Sequence, residues 1–177
     1  MSDYNEIVDA LSKIDARSGL PEDVFLAVSS LVPIANVDLM VIDENKGILL
    51  SWRDDEFFGK GWHLVGGCIR FKETMLERLQ ETAMTELGTC VEVKEEPLAV
   101  RDVILGKGHA MPKARAHHLA VLYECRLPKD FNIVNKESKQ YKSGDLRWFN
   151  EIPIDILPVH KVYFDVFKKY GLMRDVK

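Results

Sequence analysis

Apolar and polar positions along this chain fall into runs of distinct period. Ile7, Val8, Leu11 and Ile14 recur at helical spacing within residues 4–14, and Gly19 follows as a stop. Pro21-Glu22-Asp23 opens a second short helix, with proline early and acids in the first turn; Pro33 follows it. Residues 1–32 therefore predict a helical lead-in, ahead of a main domain over 33–177. Two apolar runs, 37–42 and 48–52, flank the charged turn Asp43-Glu44-Asn45-Lys46-Gly47 and predict a β-hairpin. Residues 53–61 predict a loop. Residues 62–65 predict a short strand leading into Gly66-Gly67, and 68–71 are again strand-like. Residues 74–87 contain no Gly or Pro before Gly88, and predict the clearest helix. Long β segments at 89–105 and 116–127 follow. The polar, lysine-rich stretch 128–145 predicts a mobile loop. Then come a short strand at 146–149, a helical turn at 151–157 and a closing amphipathic helix at 160–170. This order predicts an α/β or α+β sandwich, a mixed β-sheet between helices.

Projecting the 74–87 helix at about 100° per residue sharpens the picture. Met75, Leu76, Leu79, Ala83 and Leu87 share an arc that should face the sheet. Glu77, Arg78, Glu81 and Thr85 fall on the opposite side and read as a solvated face. Glu86 does not. It projects about 20° from both Leu79 and Met75, on the edge of the apolar stripe. A carboxylate there loses water and needs a cation or donors. Either an arginine from the sheet or a divalent metal at the helix–sheet seam would meet that need. Gly66-Gly67, between strand and helix, lets the backbone turn sharply and expose carbonyls.

Composition then bounds the function. The chain has 177 residues, enough for one domain that buries roughly 70% of its unfolded surface. It is 46% apolar and 29% charged, with a net charge of -4, which excludes a dedicated binder of long nucleic acid. An acidic protein that handles phosphates needs locally placed positive charge. Cys68, Cys90 and Cys125 form no CxxC, so they read as free thiols. No basic n-region and no run of about 20 apolar residues is present, and the expectation is a cytoplasmic protein with no membrane partner.

One segment resembles a known motif. Gly67, five residues, Glu73, seven residues, Glu81, then Thr82-Ala83-Met84-Thr85-Glu86-Leu87-Gly88 is similar to the Nudix box, with no gap. Glu81 stands where that family has arginine, and Thr82 and Thr85 stand where it has glutamates. This pattern of loss resembles the GDP-mannose mannosyl hydrolase branch of the Nudix superfamily. Asn36-Val37-Asp38-Leu39, Leu49-Leu50-Ser51-Trp52-Arg53, Gly61-Trp62 and Arg147-Trp148 resemble that branch in order and spacing, over residues 33–158. The resemblance implies a Nudix-type α-β-α sandwich and a Mg²⁺-dependent (or Mn²⁺-dependent) hydrolase. Its substrate would be a nucleoside diphosphate sugar, GDP-mannose or GDP-glucose-like, released as sugar and nucleoside diphosphate. It also implies a homodimer. Glu86 and the carbonyl of Gly67 would hold the metal. Asp38 would contact substrate, and Arg53 would stabilise the leaving diphosphate.

The chain departs from that branch where its Gln-His pair supplies a metal ligand and the general base. Ser143 and Gly144 occupy those positions, so Gln140, Glu137 and Asp145 are alternatives; Gln140 is the candidate metal ligand. His109, His117 and His118 come from other segments. His118 is the candidate base, with His117 turned to the other face of the strand. Cys68 replaces an arginine, and Arg70 could supply that charge from the same side of the strand. Glu81 should repel Glu73 unless Arg78 or Lys72 intervenes. Phe57 and Phe58 are candidate stacking residues for a base or sugar. Two other functions stay open: a pyrophosphohydrolase of ADP-ribose-type substrates, and a catalytically silent domain that binds nucleotide sugars.

Overall fold

The computed structural model describes residues 3–105, 115–135 and 140–173. His109 and Glu137 lie outside the described residues. The elements are α1 (Asp3–Leu11), α2 (Glu22–Ser29), β1 (Ile34–Asp43), β2 (Gly47–Asp55), β3 (Gly59–His63), β4 (Val65–Cys68), α3 (Met75–Leu87), β5 (Glu92–Val93), β6 (Ala99–Ile104), β7 (His117–Arg126), β8 (Leu146–Phe149) and α4 (Phe164–Lys169). The strands form one mixed sheet in the order β3-β2-β1-β7-β5, with β4 on β1, β6 on β7 and β8 on β2. The β1–β7 pair is parallel, Ile34 beside His118 and Val41 beside Cys125. All the other ladders are antiparallel.

The sheet separates two apolar layers. Val37, Leu39 and Val41 of β1 pack with Leu79, Ala83 and Leu87 of α3. Met40 packs on the other side with Trp62, Tyr163 and Phe167, under α4. Alternating residues of one strand thus serve opposite layers, as a two-residue period requires. This is the predicted α-β-α sandwich.

Several local expectations change. Residues 53–61 are not a loop but continue β2 through a tight turn into β3. The Asp55 carboxylate accepts the backbone N–H groups of Phe57 (2.9 Å) and Phe58 (2.8 Å), which closes that turn. The strand near the glycine pair is 65–68, so residues 69–71 belong to the turn that follows. The 89–105 segment splits around Pro97 into β5 and β6. A six-residue 3₁₀ turn, Pro158–Tyr163, precedes the short closing helix α4. On α1, Ile7, Val8 and Leu11 are exposed, so their stripe does not cover the sheet.

Helix α3 is capped as its sequence dictates. The Thr74 hydroxyl accepts the N–H of Glu77, and the Glu77 carboxylate accepts the N–H of Thr74. Glu77 is thus a capping residue rather than a plain solvated charge. Gly88 ends the helix in the left-handed conformation, φ 77°. The helix is rotated from the expected orientation. Arg78, Leu79, Thr82, Ala83 and Leu87 are buried, whereas Met75 and Leu76 are exposed. Buried positions run from Arg78 round to Leu87, which places Glu86 in the middle of the inward face rather than on its edge.

Candidate active site

A cleft of about 210 Å³ opens beside the glycine pair. Strand β1 brings Asn36 and Asp38 to it. The β2–β3 hairpin brings Arg53, Phe58 and His63. Gly66, Gly67 and Cys68 come from β4, His118 from β7, and His160 from the 3₁₀ turn before α4.

The glycines are there because two neighbours need their space. A Cβ on Gly66 would lie 2.4 Å from Asp38 Oδ1, and one on Gly67 would lie 2.6 Å from Thr82 Oγ1. Gly67 therefore lets α3 close on β4, one helical turn from Glu86. Glu86 is half-buried, and burial pushes its carboxyl up to about 7, partly offset by the Arg53 charge. It forms no ion pair with a described residue. Asp38 is buried and accepts two hydrogen bonds, from Tyr163 Oη at 2.7 Å and Asn36 Nδ2 at 2.8 Å. Burial raises its carboxyl to about 6, against the pull of those two donors and Arg53. Arg53 pairs with Asp55 at 3.1 Å, and its guanidinium lies 5.2 Å from the Phe58 ring centre.

His118 is buried, lines the cleft, and stands 6.3 Å from the Phe58 ring. Burial first, then the nearby Arg115 charge, lowers its pKa, so its ring is neutral near pH 7. Phe57 packs instead against Arg115, whose guanidinium lies 4.3 Å from its ring centre and 5.1 Å from that of Phe25. Arg115 also pairs with Glu22 of α2 at 3.0 Å.

Four candidates do not line the cleft: Glu86, Phe57, Arg70 and Gln140. Arg70 is exposed on the turn after β4, beside Gly19, and its backbone N–H donates to Glu73. The expectation that it follows the strand fails because the strand ends at Cys68. Gln140 is exposed and does not line the cleft, while the next residue, Tyr141, packs on Trp52 and Trp62. Trp62 itself is core, packed edge-on to Trp52.

The expected repulsion at Glu73 is absent. Arg78 donates to both carboxylate oxygens of Glu73, one bond being 2.8 Å, with both side chains largely buried. This bidentate pair, joined by the Arg70 N–H, holds the Glu73 carboxyl below its usual range.

Five further residues at or around the cleft were not foreseen: Asn36, His63, Arg115, His160 and Tyr163. The His63, His160 and Tyr163 rings form a row, with neighbouring centres 6.4 Å apart. Nothing in the sequence marks His63, which stands between Trp62 and Leu64. Tyr163 and His160 fall in the closing segment, whose sequence reading as an amphipathic helix singles out neither.

The described side chains gather no group of three His, Cys, Asp or Glu residues fit to hold a metal by themselves. One half-buried carboxylate without an ion pair to a described residue, a helical turn from the residue that meets Gly67, suits a hard cation that keeps waters and shares substrate oxygens, as Mg²⁺ does. The donors present therefore fit a substrate-borne Mg²⁺ better than a permanently caged one.

No protein-family model matches the chain. The low-salt glycan biosynthesis protein Agl8 of Haloferax volcanii is 28% identical over 123 residues, covering 70% of this chain and 78% of that protein. A possible asymmetric diadenosine tetraphosphate hydrolase from Jonesia denitrificans superposes with a TM-score of 0.58 at 19% identity, covering 82% of this chain and 99% of that one. A Nudix hydrolase from Nitrosomonas europaea gives 0.53 at 24% identity, covering 78% and 73%. The fold of this chain is that of the Nudix hydrolases.

Proposed function

We propose that this protein is a Mg²⁺-dependent hydrolase of nucleoside diphosphate sugars, GDP-mannose or GDP-glucose-like, that cuts the bond between the anomeric carbon and the diphosphate. The observation that carries the reading is Glu86. It is a half-buried carboxylate without an ion-pair partner among the described residues, on the inward face of α3 one helical turn from the Gly67 contact, and Gly67 and Arg53 line the cleft. Such a group calls for a cation, and a diphosphate is a ligand that brings one.

Glu86 and the Gly67 carbonyl would hold Mg²⁺, and that ion would neutralise part of the diphosphate charge. Arg53 would pair with the leaving diphosphate and stabilise the negative charge that grows on it. Asp38, fixed by Tyr163 and Asn36, would orient the substrate. A water would attack the anomeric carbon as the carbon–oxygen bond breaks, and His118, neutral and in the cleft, would accept its proton. The products are a free sugar and a nucleoside diphosphate. A single carboxylate ligand suits this chemistry, because attack at carbon demands less charge neutralisation at phosphorus than in-line displacement there. The glycan biosynthesis role in the name of Agl8 is in keeping with a nucleotide-sugar substrate.

The test is a panel of nucleoside diphosphate sugars and ADP-ribose, incubated with Mg²⁺ or Mn²⁺, with products separated by chromatography. Free sugar plus diphosphate is expected. Two monophosphate products would replace this reading with pyrophosphate hydrolysis. Binding without turnover would make the domain a silent nucleotide-sugar binder. In the same assay Glu86→Gln should lower the metal-dependent rate roughly 100-fold. Its melting temperature without metal should hold or rise, since a half-buried charge has been removed.

A further inference from the structure

His160 is a buried histidine whose two ring nitrogens have different fates. It is 95% buried, by its 5% exposure, and lines the cleft. Its Nε2 accepts the backbone N–H of Leu64 at 3.2 Å, so that nitrogen carries no hydrogen. The ring hydrogen of the neutral form is therefore on Nδ1. Nδ1 is buried and has no partner among the described residues. A buried donor left unmatched costs about 1–3 kcal/mol unless a ligand meets it.

His63 lines the same cleft and is fixed in the complementary tautomer. Its Nδ1 lies 2.7 Å from the carbonyl oxygen of Ser51, which can only accept, so Nδ1 carries the hydrogen. Its Nε2 is left as an acceptor. The two rings are stacked at 6.4 Å, inclined by 24°. One holds a hydrogen with no described acceptor, the other a lone pair, and both residues line the same cleft.

We infer that His160 Nδ1 and His63 Nε2 form a donor–acceptor pair that reads the hydroxyl groups of the sugar, as a specificity subsite on the same hairpin side of the cleft as Arg53. This rests on the nucleoside diphosphate sugar reading above. A hydroxyl both donates and accepts, so it satisfies both rings at once. The diphosphate of a nucleotide sugar cannot, because both its phosphates are doubly esterified and carry no hydrogen to give His63 at neutral pH. Burial holds both rings neutral, with pKa values lowered to about 4 for His63 and about 3 for His160. A neutral polar pair suits a neutral polyol.

Two substitutions at one position separate this role from a structural one. The amide of glutamine reaches the place of Nε2, and that of asparagine the place of Nδ1. His160→Gln keeps an acceptor for Leu64 and loses the donor; His160→Asn does the reverse. Binding is read by titration calorimetry with GDP-mannose, GDP-glucose and GDP in Ca²⁺ buffer at low temperature. In His160→Gln the affinity for the better sugar nucleotide should fall about tenfold relative to GDP, with the melting temperature nearly kept. In His160→Asn the affinity ratio should be kept while the melting temperature drops. His63→Phe, which removes the acceptor, should repeat the affinity loss. Equal losses for sugar nucleotide and GDP, or an unchanged ratio in His160→Gln, overturn the inference and leave the proposed reaction standing. A wild-type protein that binds neither sugar nucleotide overturns both.

Discussion

At the scale of single residues, Arg78 supplies the charge that Glu81 withholds. One helical turn separates the two positions, and the guanidinium still reaches both oxygens of Glu73. The pair is largely buried, so removing one member leaves the other desolvated and unmatched. Arg78→Ala should therefore cost about 3 kcal/mol in chemical denaturation. Adding Glu81→Arg to it should recover part of that loss. A cost near zero would mean that the turn from 69 to 74 is held by its backbone alone. The sequence made the gap at position 81 visible, but not its repair. Helical projection treats every charge on one arc as solvated, whereas the glycine at 67 draws the helix close and buries Arg78 against β4.

At the scale of elements, the cleft depends on two pieces that reach it from outside the sheet. The β2–β3 hairpin carries Arg53, Phe58 and His63, and its turn is closed by the Asp55 carboxylate. Helix α2 is tied in by Arg115, which lies between Phe25 and Phe57 and pairs with Glu22. Arg115→Ala should release α2. Hydrogen exchange across residues 22–29 should quicken, while exchange in β1 and β7 stays unchanged. Unchanged protection in α2 would show that its apolar contacts suffice. The long α3 helix and the β1–β2 hairpin were readable because period and capping signals act locally. The β2–β3 turn was not. Its instruction is a single aspartate in a charged stretch that otherwise reads as loop. Likewise Asp38, Arg53, Gly67 and Phe58 were legible as candidates and do gather at the cleft. His63 and His160 were not, since their chemistry follows from which backbone group each ring meets, and that is decided only when distant segments pack.

At the scale of the whole molecule, those buried groups set how stability responds to acid. The folded pKa of His63 is lowered from 6.5 to about 4, and that of His160 from 6.5 to about 3. Below about pH 6.5 the unfolded chain takes up protons that the folded one refuses. The histidines' contribution is thus present above that pH and is lost as the pH falls toward 4 and then 3. Asp38 acts in the opposite sense. Its folded pKa is raised from 3.8 to about 6, so its contribution is lost as pH rises through that window. Glu86, raised from 4.5 to about 7, acts in the same sense as Asp38, so the two carboxylates oppose the two histidines across this window. The double variant His63→Gln, His160→Gln should lose less melting temperature between pH 7 and pH 5 than the wild type does. Equal losses would mean that these rings titrate freely in the folded state.

The parallel pairing of β1 with β7 has a consequence in time. Ile34 meets His118 only after the whole hairpin and helix region between them has been made. Contacts so distant along the chain are slow to form, because a long loop must close before they give anything back. Residue 160, the last contributor to the cleft, comes later still. During synthesis from the N-terminus, β1, the β2–β3 hairpin and α3 can form early, as local structure. The cleft cannot. Any substrate or metal that stabilises this protein therefore acts on a chain already complete to its closing helix, and cannot guide the earlier steps of folding.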